Sequence, residues 1–227
     1  MTFSLIARDP GTGQFGMVIS SSSPAVAARC VHLRAGVGAV ASQNVTDPGL
    51  GPLVLDRLAK GLGAAQAITD VVTGRAHVGY RQLMAVGQTG GQTGGPAIWS
   101  GDQVLGLWGE AVGEHCAAAG NLLARADIPG LMVAAFEAAR GSFGDRLMAA
   151  LTAGLAAGGE AGPVRSAGLK IVGAPDWPIA DLRIDWHDDP IAALSLAWEV
   201  YQPQMAAYIQ RALDPTVAPS YGVPGDE

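Results

Sequence analysis

A chain of 227 residues that is 49% hydrophobic and only 15% charged is long enough to bury a sizeable core in one domain and too apolar for intrinsic disorder. Fourteen Lys and Arg against twenty Asp and Glu give a net charge of −6, which removes the electrostatic basis for binding nucleic acid or an anionic membrane surface. Two cysteines, Cys30 and Cys116, cannot build a disulfide framework and stand in no zinc-binding spacing, so both are read as small buried apolar residues.

In chain order, Thr2 to Arg8 lacks a helical period and is followed by the turn-forming Asp9-Pro10-Gly11-Thr12-Gly13, then by the short run Gln14 to Ser20. This predicts a hairpin beginning at residue 2. Val31-His32-Leu33-Arg34 and Val37 to Ala41 predict a second hairpin around Ala35-Gly36, ended by Ser42-Gln43-Asn44. A helix is expected from Pro52 to Lys60 and another from Ala64 to Thr73, closed by Gly61 and Gly74. Arg81 to Val86 returns to strand, Gly87 to Gly95 is a glycine-rich loop, and Ile98-Trp99 and Val104 to Leu107 are two further short strands. Helices follow over Ile128 to Arg140 and Phe143 to Ala157, then strands over Ser166 to Val172 and Leu182 to Trp186. Asp189-Pro190 starts a last helix, running to Leu213, because Asp caps free N–H groups where proline needs none.

Runs of strands and helices segregated in this way indicate an α+β fold with a largely antiparallel sheet. One domain over 1–213 and a C-terminal tail over 214–227 are expected. No secretory signal pattern opens the chain, and no apolar stretch reaches the ~20 residues of a membrane span. A cytoplasmic protein follows.

Thr2 carries the most informative chemistry. Removal of Met1 would expose an α-amine beside a secondary hydroxyl, so nucleophile and base would belong to one residue. The reference pKa of such an amine, ~7.7–8.0, leaves a useful unprotonated fraction near neutral pH.

Beyond that dipeptide the chain resembles domain-of-unknown-function family 1028, placed in the N-terminal-nucleophile (Ntn) hydrolase superfamily. The resemblance rests on Thr2-Phe3-Ser4-Leu5-Ile6-Ala7-Arg8-Asp9, Arg34 to Gln43, Tyr80-Arg81-Gln82-Leu83, Ala119-Gly120-Asn121-Leu122-Leu123 and Asp181 to His187. It implies a four-layer αββα sandwich of two mainly antiparallel sheets, with Thr2 in the nucleophile position at a cleft between them.

Strand ends near such a cleft supply the remaining candidates. Arg34 is the candidate cation that would favour the neutral amine and the deprotonated hydroxyl; its alternative is a surface arginine. Asn121 is the candidate amide donor to a developing oxyanion, or else a turn or cap residue. Ser20, Ser42, Gln43, Asn44 and Tyr80 are candidate substrate contacts, although Ser20 to Ser23 also reads as a solvated loop.

Rival sites are weaker. Asp185-x-His187-x-Asp189 places three potential metal ligands on one strand face, but Asp189 is better explained as the cap before Pro190, leaving a structural Asp185–His187 cluster. Adjacent His115 and Cys116 diverge on any regular backbone, which argues against a thiol–imidazole pair. Gly90 to Gly95, with Gln92 inside it, lacks the lysine and following helix of a phosphate loop. No cofactor is expected. The reading is an Ntn-type amidohydrolase that cleaves a small amide or related C–N bond and works as a homodimer on a small-molecule substrate. The alternative is a noncatalytic small-molecule binding or assembly protein on the same fold.

Overall fold

Strand β1 (Thr2–Arg8) turns through Asp9 to Gly13 into β2 (Phe15–Ser21), and Thr12 Oγ1 donates to Asp9 Oδ2 at 2.6 Å to close the turn. The computed structural model describes residues 1–88 and 95–226. A short helix α1 (Val26–Cys30) leads into the hairpin of β3 (Val31–Arg34) and β4 (Gly38–Asn44). Gly36, at φ +68°, supplies the left-handed residue that this tight connection needs. Helices α2 (Leu50–Ala59) and α3 (Ala64–Val72) precede β5 (Arg81–Gly87) and β6 (Ala97–Ser100). Then come β7 (Gly109–Val112), β8 (Cys116–Asn121), α4 (Ile128–Ala138), α5 (Phe143–Ala156), β9 (Ser166–Val172) and β10 (Pro178–Ile184). Helices α6 (Pro190–Tyr201) and α7 (Met205–Leu213) are separated by a 3-10 turn at Gln202–Gln204, where Pro203 interrupts the expected continuous helix.

The strands form a six-stranded sheet, β10-β9-β2-β1-β8-β7, and a four-stranded sheet, β3-β4-β5-β6. Every pairing is antiparallel. Alternation along β1 decides what each face meets: Phe3, Leu5 and Ala7 join the core under α4, α5 and α6, while Ile6 joins Met17, Ile19, Ala41, Met84 and Ala119 between the sheets. A third cluster packs α2 and α3 against the outer face of β4 and β5 through Leu50, Val54, Ile68, Val40 and Leu83. Phe3, Leu5 and Ile6 are fully buried, each contributing about 1.5–3 kcal/mol of transfer free energy. Thr2 is thus anchored at the start of a strand held from both sides.

Two expected strands need correction. Residues Val104 to Leu107 are irregular, with a bend at Gly106-Leu107, rather than strand, and the strands lie later, at β7 and β8. β8 reads Cys-Ala-Ala-Ala-Gly-Asn, without a β-branched or aromatic residue, and is a strand because it is fully buried between β1 and β7 with both faces packed. β10 runs from Pro178 to Ile184 rather than from Leu182 to Trp186. The glycine-rich stretch around Gln92 lies outside the described residues. Among the described residues no helix is long and apolar enough to cross a membrane.

Candidate functional site at the start of the first strand

Thr2 is 4% exposed and stands opposite Asn121 of β8 in the β1–β8 ladder. Its side chain lies on the same strand face as those of Ser4 and Ile6, the face that meets the second sheet. Polar groups buried at that face require partners, and they find them in one another. Ser4 Oγ donates to Gln43 Oε1 at 2.6 Å; Gln43 Nε2 donates to Gln82 Oε1 at 2.8 Å and to the Ala119 carbonyl at 3.2 Å. Gln82 Nε2 donates to Ser100 Oγ at 3.0 Å, and Ser100 Oγ in turn to Glu110 Oε2 at 2.9 Å. Asn121 Nδ2 reaches Gln82 Oε1 at 3.4 Å, but its Oδ1 is buried without a hydrogen-bond partner among the described residues. A spare polar atom therefore sits across from Thr2.

Met1 precedes β1 at this site. Its carbonyl oxygen accepts hydrogen bonds from Thr2 Oγ1 and from Ser21 Oγ. Ser21 is itself approached by Ser23, whose Oγ lies 3.0 Å away and whose backbone N–H donates at 3.1 Å. The same parity that selects Ser21 rejects Ser20: Ser20 follows Val18 onto the helix-facing side, where its hydroxyl donates to the Ser166 carbonyl at 2.9 Å.

Glu160 is the residue that sequence reasoning missed. Gly158 and Gly159, at φ +119° and +59°, reverse the chain after α5 and deliver Glu160 to a bridge with Leu123. Its side chain is buried, 4% exposed, and both carboxylate oxygens accept from the Ser22 backbone N–H, at 3.0 and 3.1 Å. Burial pushes its carboxyl up to about 7, against the opposing pulls of Ser22 and of the amino terminus. A signal existed: Glu160 is the one charged residue between Arg146 and Arg165 in sequence.

Glu160 has a consequence for stability. With a folded pKa near 7 against an ordinary 4.5, the folded chain holds a proton that the unfolded chain releases. That contribution is complete below about pH 4.5 and gone above about pH 7. Thermal melts from pH 5 to pH 8 are expected to show a loss of about 2–3 kcal/mol that Glu160→Gln removes.

Other sequence candidates fall in different places. Arg34 pairs with Gly38 at the hairpin turn and forms an exposed ion pair with Asp56 at 2.9 Å. Gln43, which meets Ser4, lies five residues further along β4, roughly 17 Å away. Arg34 is thus at the opposite end of the sheet from Thr2 and is not its cation. Ser42 faces away from the cleft and donates to the Asp47 carbonyl at 2.8 Å. Asn44, at φ +74°, ties loops together by donating to the Tyr80 carbonyl and accepting from the Leu105 backbone N–H. Tyr80, 40% exposed, lies at the end of the second sheet nearest Gln82 and so on the rim. Asn121 stands opposite Thr2 in the ladder, and Gln43 meets Ser4 further along the same strand face.

The metal and thiol alternatives do not assemble. His187 Nδ1 accepts from the Asp189 backbone N–H at 2.9 Å, and Asp189 caps α6 by accepting from Ala192 N at 3.3 Å. Asp185 and His187 thus belong to no cluster of three potential ligands among the described residues. Cys116 is buried in β8, and burial together with the nearby Glu137 carboxylate pushes its thiol up to about 12, far from thiolate chemistry. Burial likewise raises Cys30, which packs 3.3 Å from Thr46 Oγ1.

Comparison with known proteins supplies a frame but no activity. Residues 2–194 match the model of a family of unknown function, DUF1028. A crystal structure of a Silicibacter pomeroyi protein assigned to the same family model is 30% identical, with a TM-score of 0.80, over 88% of this chain and 89% of that one. Two structures of Anbu, described as an ancestral beta-subunit, are far looser. The Yersinia bercovieri protein gives a TM-score of 0.42 at 11% identity, over 91% of this chain and 97% of its own. A mutant from Hyphomicrobium sp. strain MC1 gives 0.46 at 14% identity, over 90% and 96%. No curated protein matches.

Proposed function

The chain belongs to the family of unknown function DUF1028, and from that membership and the surroundings of Thr2 we propose that it is an N-terminal-nucleophile amidohydrolase with a four-layer αββα sandwich. Residues 1–213 form its domain, and 214–227 are a tail. The observation that carries the reading is a hydroxyl at the buried start of a central strand, already set on a carbonyl oxygen that a second hydroxyl, Ser21, also holds.

Chemistry follows from that arrangement once Met1 is removed. The freed Thr2 α-amine accepts the hydroxyl proton, directly or through one water, as Oγ1 attacks the carbonyl carbon of an amide. Ser21 Oγ donates to the oxygen on which negative charge develops. Asn121 Oδ1, unpartnered and across the ladder, accepts from the new amine and holds its lone pair toward Oγ1. Gln43 and Gln82 touch no reacting atom and act by fixing Asn121 and Ser4. While Met1 remains attached, the Thr2 nitrogen is an amide and offers no base, so such a chain does not turn over.

Comparing the two forms of the chain tests this. Protein that begins at Thr2 should hydrolyse members of a panel of small amides, and protein retaining Met1 should hydrolyse none. Equal rates from the two forms would refute an N-terminal nucleophile. In the active form Ser21→Ala is expected to lower kcat by about 100-fold with little change in KM, since its hydrogen bond strengthens as the oxyanion forms. A rise in KM alone would make Ser21 a ground-state contact.

A further inference from the structure

Resting on the hydrolase reading above, we infer that the site takes α-aminoacyl amides, with the substrate's free ammonium against Glu160 and its carbonyl oxygen on Ser21. Met1 is itself such a group: an α-ammonium, a side chain and a carbonyl joined to an amide nitrogen, lodged in the site. Register places it. Phe3 pairs with Ser20 and Thr2 with Asn121, and Ser21 Oγ holds the Met1 carbonyl just beyond that register. Glu160 stands beside it, with its carboxylate on Ser22 N and its backbone bridged to Leu123.

The carboxylate is incomplete without a cation. Two oxygens offer about four acceptor positions, and Ser22, through its side chain and backbone N–H, fills them only in part, which is poor compensation for a buried negative charge. The amino terminus pulls the Glu160 carboxyl down against the effect of burial, so a positive charge at this end of the site is felt there. Departure of Met1 removes that cation and opens its place. The Thr2 amine does not inherit the role, because it stays within β1 opposite Asn121, about one residue spacing of ~3.8 Å back along the chain. Met1 is 37% exposed, so the site reads the amine and the carbonyl and leaves the side chain at the opening. Tolerance of different side chains follows.

The reaction balances without any further reagent. Thr2 Oγ1 bonds to the acyl carbon, the C–N bond breaks, and the hydroxyl proton passes through the Thr2 amine to the leaving nitrogen. Water then adds to the ester, releases an α-amino acid and restores the hydroxyl.

Binding and turnover separate this inference from the reading beneath it. Calorimetric titration of L-methioninamide and of N-acetyl-L-methioninamide into the mature Thr2→Ala chain at neutral pH should show the free amine binding at least tenfold more tightly. Glu160→Gln in the same background should erase the difference. Equal binding of the two probes, or a preference that survives Glu160→Gln, overturns the inference, and the first comparison decides even if that variant fails to fold. Hydrolysis of both amides at equal rates by the Thr2 chain also overturns the inference while leaving the hydrolase reading intact. A binding preference without hydrolysis overturns the hydrolase reading and leaves amine recognition by Glu160 standing.

Discussion

Thr2→Ala is expected to abolish amide turnover, by a factor of about 10,000 or more, while shifting stability by less than about 1 kcal/mol. The two effects separate for a structural reason. Among the described residues Thr2 Oγ1 makes its hydrogen bond to the adjacent Met1 carbonyl and to no other element, so removal of Met1 already leaves the hydroxyl without a structural duty there. The anchoring of β1 rests on Phe3, Leu5 and Ile6, which the substitution does not touch. Activity and urea denaturation measured on one preparation check both halves. Retained turnover removes Thr2 from the chemistry; lost turnover with several kcal/mol of destabilisation would mean the variant had only disturbed the fold.

Gln82→Ala is expected to cost about 2–4 kcal/mol of stability as well as activity. Gln82 Oε1 accepts from both Gln43 and Asn121, and its Nε2 donates to Ser100. Truncation leaves those three groups short of a partner in a site that is fully buried at Gln43, Gln82 and Asn121, and it opens a cavity besides. Gln82→Leu refills the volume without restoring the hydrogen bonds, so it should recover part of the stability and none of the activity. Urea denaturation of the two variants checks this. A loss below about 1 kcal/mol in Gln82→Ala would mean that water enters and satisfies the network.

Much of the architecture was legible because it is written in turn and cap chemistry. Asp9 to Gly13 and Ala35-Gly36 mark the two hairpins, and glycines after α2 and α3 mark where those helices stop. β8 was not legible, since an alanine-rich segment becomes a strand only through neighbours on both sides. Its loss from the sequence reading made Asn121 look like a turn residue, although the resemblance still singled it out. Parity explains the serines: a one-residue change of face separates Ser21, in the cleft, from Ser20, under the helices. Arg34 was misplaced because antiparallel pairing sends the turn of its hairpin away from the strand end that meets Ser4. Glu160 reaches Ser22 from 138 positions away in sequence, a contact that no local pattern encodes.

The account depends on Thr2 becoming the first residue and reacting through its own hydroxyl. Intact-mass measurement of protein from its native host, followed by peptide mapping after exposure to an acylating β-lactone, reads both at once. A chain beginning at Thr2 with the adduct on that residue is the predicted result; a chain that keeps Met1, or an adduct carried only by other residues, would contradict it.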